Sequence, residues 1–464
     1  MDQRFQNLAK WQHLRRWLVI AAILPVSFIA CQRFTVRDTP TDVLFYKTAE
    51  RENQPGVVEK PYVIMVSLDG FRNDYITKYK PPFLSQMAAE GALAKGLISS
   101  YPTLTFPNHI SLITGRYSAN HGIVGNAFYD EARERAYKMG DSQAVNDPSW
   151  YSGEPIWTVA ERNGMLSAVC FWVGSEAGID GLHPTYVRPY QHDLPPKDRV
   201  DQVIRWLKLP EATRPHFVAL YFHHVDSAGH AYGPDSQQVK DSVMELDSNL
   251  AQLKAQVEAL GLRNVTYVFV SDHGMEPVRT NEGVVIVNES ENSILQNVLK
   301  RWTIGETGAV TSMYLHDPAL SADQEAAEVE QMAQLLRSQP FADRYQVFKR
   351  SEIPADWHYT HPTKTGDIVL AAKVGYYLKF HLYVNGQGPQ PSDRQYRGHS
   401  THGWPTDIAT MQGLFLANGT AVKSGLQIEP FSNVNVYPFV LKVLDIQASK
   451  PNDGDIQVLE SILK

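Results

Sequence analysis

A chain of 464 residues with 43% hydrophobic content has enough material for one large α/β domain or two to three ordinary ones, and its composition is not that of a disordered segment. The formal net charge of −7 supplies no basic field, which excludes a nucleic-acid polymer as the main partner. Small phosphate substrates remain open, because bound cations can reverse the local sign of charge.

The amino terminus differs from everything that follows. Arg4, Lys10, Arg15 and Arg16 precede an apolar run from Trp17 to Cys31, shorter than the roughly 20 residues that span a bilayer and patterned like an export signal. Phe28-Ile29-Ala30-Cys31 resembles a bacterial lipobox, with phenylalanine where leucine is usual. The expectation is a signal peptide or lipoprotein signal over 1–31, with an uncleaved anchor as the alternative. A polar, proline-containing tether follows over 32–60, giving an exported, periplasmic or cell-envelope protein attached to a membrane by its N-terminus. After Cys31 only Cys170 remains, inside the apolar run Leu166–Trp172, so it reads as a small buried hydrophobe and no disulfide can form in the processed chain.

The folded part is expected to begin at Pro61. Tyr62–Asp69 is a continuous apolar run ending in an acid and Gly70, the pattern of a parallel strand buried on both faces. Similar runs recur at Leu166–Val173, His216–His223, Val265–Asp272, Thr311–Leu315, Gly366–Ala372 and Gly413–Ala417. Between Ser236 and Leu260, apolar residues from Val239 to Val257 repeat at spacings of four and three and predict a core-facing helix. Ser321–Leu336 predicts another, with Ser321 and Gln324 placed for a capping box. Strands alternating with helices imply a mainly parallel central sheet flanked by helices on both faces. Residues 278–359 read as a small inserted subdomain, a structural elaboration rather than a regulatory cap.

Four separated clusters have the composition of metal ligands: Asp69 at a strand end, Asp226 with His230 four residues on, Asp272-His273 directly after an apolar run, and His402 in a Gly-, His- and Thr-rich loop. Each alone is weak, since an acid at a strand end can simply cap a helix. Together, along one carboxyl edge of one sheet, they point to a metal centre, and Asp with His but no Cys suits zinc, with manganese or iron as lesser options.

The motifs Leu68-Asp-Gly-Phe71, Tyr101-Pro-Thr-Leu-Thr-Phe-Pro-Asn-His109, Thr114-Gly-Arg-Tyr-Ser-Ala-Asn-His-Gly-Ile123, Val225-Asp-Ser-Ala-Gly-His230, Ser271-Asp-His-Gly-Met275 and Thr401-His-Gly403 stand in an order and at separations that resemble the nucleotide pyrophosphatase/phosphodiesterase family of the alkaline phosphatase superfamily. The resemblance covers about 61–442 and reads as a catalytic domain without added modules. It implies two zinc ions, one at Asp226, His230 and His402 and the other at Asp69, Asp272, His273 and the Thr105 oxygen. It also implies Thr105 as the nucleophile of a double displacement through a covalent phosphothreonine, and Asn126 as donor to a non-bridging phosphate oxygen, an amide that favours diesters. Phe106-Pro107 leads into a predicted helix from about Asn108, whose first amides could share the developing charge. Phe106, Met139, Tyr190 and Tyr221 align with a nucleobase pocket. The activity implied is release of nucleoside 5′-monophosphates from a small nucleotide or phosphodiester substrate. Lysophospholipid or glycerophosphodiester cleavage on the same machinery is the alternative, and a non-catalytic, metal-stabilised binding protein a third reading. The oligomeric state is not specified by any of these features.

Overall fold

The computed structural model describes residues 46–280, 282–287, 298–380 and 395–464; the export signal expected over 1–31 and the first part of the expected tether lie outside them. Nine strands make the central sheet: β1 (Tyr46–Lys47), β2 (Tyr62–Leu68), β3 (Ala92–Ala94), β4 (Ser167–Cys170), β5 (Tyr186–Arg188), β6 (Phe217–Phe222), β7 (Val265–Val270), β8 (Phe415–Gly419) and β9 (Leu426–Ile428). Their spatial order is β1-β5-β4-β6-β2-β7-β8-β3-β9. From β5 through β7 every pairing is parallel, whereas β1 and β8 run antiparallel to their neighbours.

The sheet is buried on both sides, which is why its central strands are apolar throughout instead of alternating. Along β2, Val63 and Met65 pack into one core and Ile64, Val66 and Leu68 into the other. Helix α1 (Thr105–Thr114) and the helices Ile156–Arg162 and Val436–Leu444 cover the first face. Helix α3 (Gln237–Ala259), preceded by the short α2 (His224–Tyr232), covers the second together with Pro196–Leu207 and Pro82–Ala89. The expected stripe on α3 is buried from Val239 to Val257, and Ser236 caps the helix by accepting the Val239 N–H at 3.2 Å. Cys170 is buried within β4, where burial pushes its thiol up to about 12.

Two expectations are corrected. The polar stretch before Pro61 is not all tether. Tyr46–Lys47 pairs with β5, Asn53 donates to the Glu211 and Arg214 carbonyls, and Val57 enters the core. A polar segment looks like a linker when its partners lie 158 residues away. Second, the runs ending at Leu315 and Ala372 do not belong to the central sheet, and Gly413–Ala417 joins it antiparallel as β8. Strands Trp302–Ile304, Val310–Leu315, Ile368–Ala372 and Tyr345–Lys349 form, in that order, a separate antiparallel sheet packed on helix Ala322–Arg337, whose Ser321/Gln324 capping box is present. The subdomain therefore continues past Tyr359 through Ala372. An apolar run has the same composition in either sheet, and only the pairing partner distinguishes them. Among the described residues no helix is long and apolar enough to cross a membrane.

Candidate active site

Three acids meet because three strands are adjacent and parallel. β6, β2 and β7 lie side by side in the sheet, so their carboxyl ends open at one edge. Asp69 follows β2 directly, Asp272 lies just past β7, and Asp226 sits in the first turn of α2 after β6. Four residues along α2, on the same helix face, His230 brings Nε2 to 3.4 Å from Asp226 Oδ1. His402 arrives from farther off: Ser400–Thr401 pairs antiparallel with Glu276–Pro277, just beyond His273. This seats His402 Nε2 3.7 Å from Asp226 Oδ1 and stacks its ring on that of His273 at 3.6 Å. Close approach requires Gly70, which sits at φ +66, where a Cβ would lie 2.8 Å from Asp226 Cα.

The result is two overlapping sets of ligand-type atoms, Asp226/His273/His402 and Asp69/Asp272/His273, each set within 4.8 Å. His273 Nε2 stands 3.1 Å from Asp272 Oδ2, 3.4 Å from Asp69 Oδ1 and 3.3 Å from Thr105 Oγ1. Thr105 is the first residue of α1, and its hydroxyl meets the group at His273 Nε2.

These residues fit divalent cations. Asp69 Oδ1, Asp226 Oδ1 and Asp272 Oδ2 are buried oxygens without a hydrogen-bond partner. Nδ1 of His230, His273 and His402 lies 2.9, 2.9 and 2.8 Å from the carbonyls of Ser400, Gly274 and Thr103. A carbonyl only accepts, so each Nδ1 carries the proton and each Nε2 presents a lone pair to the cleft. Burial pushes the Asp69 and Asp226 carboxyls up, Asp69 further through the neighbouring Asp272 and Asp226 charges. Burial would also raise Asp272, but the His273 and His109 imidazoles hold it below the usual carboxylate range. Buried acids this close are stable as a set only with compensating positive charge.

Asn126 lies beside Thr105, and the contacts there correct one expectation. The helix begins at Thr105, not Asn108, and the amides that follow Thr105 are already engaged. Phe106 N–H donates to Asn126 Oδ1 at 3.0 Å, Pro107 has no N–H, and Asn108 N–H reaches the Leu104 carbonyl at 3.2 Å. An anion at this helix start would not find these amides free. A cavity of about 650 Å³ joins Thr105 and Asn126 to Phe106, Met139, Tyr190 and Tyr221. Met139 and Tyr190 stand at its mouth, 54% and 49% exposed, whereas Tyr221 is buried and donates its hydroxyl to Asp69 Oδ2 at 2.5 Å. Tyr221 thus orients a ligand-type acid as well as walling the pocket. His223 also lines the cavity, but its ring stacks between His192 and His224 and its Nδ1 lies 3.2 Å from Arg199 Nη2, away from the acids.

Some participants carry no signal in the sequence. Thr103 and Ser400 act through backbone carbonyls, which any residue could supply. Glu306, Thr307 and Ala309 bring the inserted subdomain into the cavity wall, although its polar residues read as surface. His109 stands in the quoted motif without an assigned role, and its Nε2 lies 2.8 Å from Ser67 Oγ while its Nδ1 faces the Thr105 carbonyl at 2.8 Å.

The model of the family described as type I phosphodiesterase/nucleotide pyrophosphatase matches residues 63–405. The chain belongs to this family. Its α/β fold, with a mostly parallel central sheet, is the alkaline-phosphatase-like fold of its structural neighbours. A pyrophosphatase/phosphodiesterase of Schizosaccharomyces pombe, itself uncharacterized, is 32% identical over 402 residues, covering 84% of this chain and 78% of that protein. Human ectonucleotide pyrophosphatase/phosphodiesterase family member 1 is 30% identical over 416 residues, and the match spans 88% of this chain but 42% of the human protein. Among solved structures, an inactive alanine-for-threonine variant of murine ectonucleotide pyrophosphatase/phosphodiesterase 5, in complex with AMP, superposes with a TM-score of 0.75 at 25% identity, covering 87% of this chain and all of the other. As a member of this family the chain is an enzyme of the phosphodiesterase and pyrophosphatase class, and its Asp and His side chains form two groups that could hold metal ions.

Proposed function

We propose that this protein hydrolyses nucleotide pyrophosphates and phosphodiesters to nucleoside 5′-monophosphates through a covalent phosphothreonine at Thr105, with two zinc ions. The observation that carries this reading is the Thr105 hydroxyl, 3.3 Å from His273 Nε2 and facing buried carboxylate oxygens that lack hydrogen-bond partners. The murine relative, inactive when a threonine is replaced by alanine and in complex with AMP, supports both the nucleophile and the substrate class.

One ion would be held by Asp226, His230 and His402, the other by Asp69, Asp272, His273 and the Thr105 oxygen. When bound, such ions neutralise phosphate charge and lower the pKa of a hydroxyl. The remaining work belongs to the chain. α1 holds Thr105 at its N-terminus with the hydroxyl aimed into the cleft. Asn126, its oxygen occupied by the Phe106 N–H, offers Nδ2 to a non-bridging phosphate oxygen, and a neutral amide suits a singly charged diester better than a dianionic monoester. The bond from Thr105 Oγ1 to phosphorus forms as the bond to the leaving oxygen breaks; water then attacks phosphorus, frees the monophosphate and restores the hydroxyl. Phe106, Tyr190 and Tyr221 supply aromatic faces that accept any base, so discrimination among bases is weak. The export signal read over 1–31 would put this chemistry at the cell envelope.

Thr105→Ala tests the proposal. Its kcat/KM on the p-nitrophenyl ester of thymidine 5′-monophosphate is expected to fall by about three orders of magnitude or more, with bound zinc and the unfolding transition close to wild type. Turnover near the wild-type rate would remove Thr105 from the mechanism. Running ATP and lysophosphatidylcholine in parallel separates nucleotide from lipid diesters.

A further inference from the structure

We propose that Glu306, from the inserted subdomain, is the positioning residue for Asn126, clamping its backbone and meeting its carboxamide so that the side chain is held against α1 and an Nδ2 hydrogen can reach the phosphate. The proposal rests on the reading that Asn126 meets the phosphate. Glu306 Oε2 accepts the Asn126 N–H at 3.0 Å and the Ala127 N–H at 3.2 Å. On its other side Asn126 Oδ1 accepts the Phe106 N–H, one residue from the nucleophile. Because a backbone N–H can only donate, the atom facing Phe106 is the oxygen, and the carboxamide orientation follows without choice. Asn126 is therefore fixed between the helix that carries Thr105 and a carboxylate that comes from 180 residues away.

The placement of Glu306 is costly unless it serves this contact. It lies in the turn between Trp302–Ile304 and Val310–Leu315, on the wall of the catalytic cavity. Among the described residues no Lys, Arg or His forms an ion pair with it, and the titratable groups that feel its charge are the phenols of Tyr359 and Tyr377. Burial pushes its carboxyl up to about 7, and the Ala127 and Asn126 backbone amides together with the Asn126 side chain pull it part of the way back. A part-buried carboxylate without an ion-pair partner weakens folding, so its partners, the amides that set Asn126, are what it gains. This also gives the subdomain a task in the site beyond elaboration: it fixes one wall of the phosphate position.

Single and double variants of the full chain decide the matter, with kcat/KM on the p-nitrophenyl ester of thymidine 5′-monophosphate as readout. Glu306→Ala is expected to lose about tenfold to a hundredfold, the scale of a misplaced positioning group, with metal content retained. Asn126→Ala/Glu306→Ala should lose no more than Asn126→Ala alone, within about twofold, since a positioning residue acts only through the group it positions. Glu306→Gln keeps one accepting oxygen and should lose less than Glu306→Ala; its kcat/KM relative to wild type should fall as pH rises through about 7, where only the wild-type side chain ionises. Should the alanine variant fail to fold, the glutamine variant and its pH ratio carry the test. Full activity of Asn126→Ala would overturn the phosphate role of Asn126. Losses that multiply in the double variant, or a pH-independent glutamine ratio, would overturn the role of Glu306 while leaving that of Asn126 intact.

Discussion

Each side chain in the cleft has one atom tied down and another left facing the centre. His230, His273 and His402 hold Nδ1 on a carbonyl and keep Nε2 for a ligand. Asp69 gives Oδ2 to Tyr221 and keeps Oδ1. Tyr221 is the most informative of these, since its ring lines the pocket while its hydroxyl sets an acid. Tyr221→Phe removes only the hydroxyl. It is expected to lower zinc affinity about 10- to 100-fold, the usual effect of losing a group that orients a ligand, in competition with a chromogenic chelator. At saturating zinc the KM for a nucleotide should stay within about threefold of wild type, because the stacking face remains. A lowered affinity for the nucleotide with unchanged zinc binding would reverse the assignment. The residue types at this scale were readable in the chain: Asp and His without Cys, at strand ends. Which atom of each faces inward was not, because that depends on carbonyls supplied from distant loops.

At the scale of elements, α1 presents Thr105 at its first position, and its far end is set by local chemistry. Leu104 enters in extended conformation, and Thr105 opens the helix. The other end closes at Gly115, in the left-handed region at φ +65, with its N–H on the Ser111 carbonyl at 2.9 Å. A Cβ there would lie 2.7 Å from the Tyr437 ring, which belongs to the helix packed alongside. Gly115→Ala is accordingly expected to destabilise the fold by about 2 kcal/mol, combining left-handed strain with overpacking. The denaturant midpoint should fall with an unchanged slope, and a midpoint equal to wild type would mean that Tyr437 yields freely. Helix and strand identities were legible where periodicity was long, as in α3. The start of α1 was misplaced by three residues, because Phe106-Pro107 permits either entry into a helix and the Asn126 contact that selects one is not local.

At the scale of the whole molecule, the subdomain and the catalytic body meet at the loop that carries Asn126. Besides Glu306, Lys364 crosses from the subdomain and donates Nζ to the Gly122 and Trp150 carbonyls at 3.1 and 2.9 Å. Burial pulls its ammonium down to about 8, although Asp130 partly counters this. Lys364→Met leaves those carbonyls without this donor and is expected to cost about 1–3 kcal/mol, seen as a lowered unfolding midpoint, together with a several-fold lower kcat on diesters because the loop loses an anchor. Stability loss with unchanged kcat would show that Lys364 serves the fold alone. The sequence by itself determined the family, the α/β class and the metal-type residues, because strand ends, capping residues and ligand types are written locally. Only the tertiary structure decided that two apolar runs leave the main sheet, that part of the tether is an edge strand, and that Glu306 reaches the site. Each of these depends on which surfaces pair with segments outside their own sequence neighbourhood, and an apolar run or a lone carboxylate has the same local appearance whichever partner it finds.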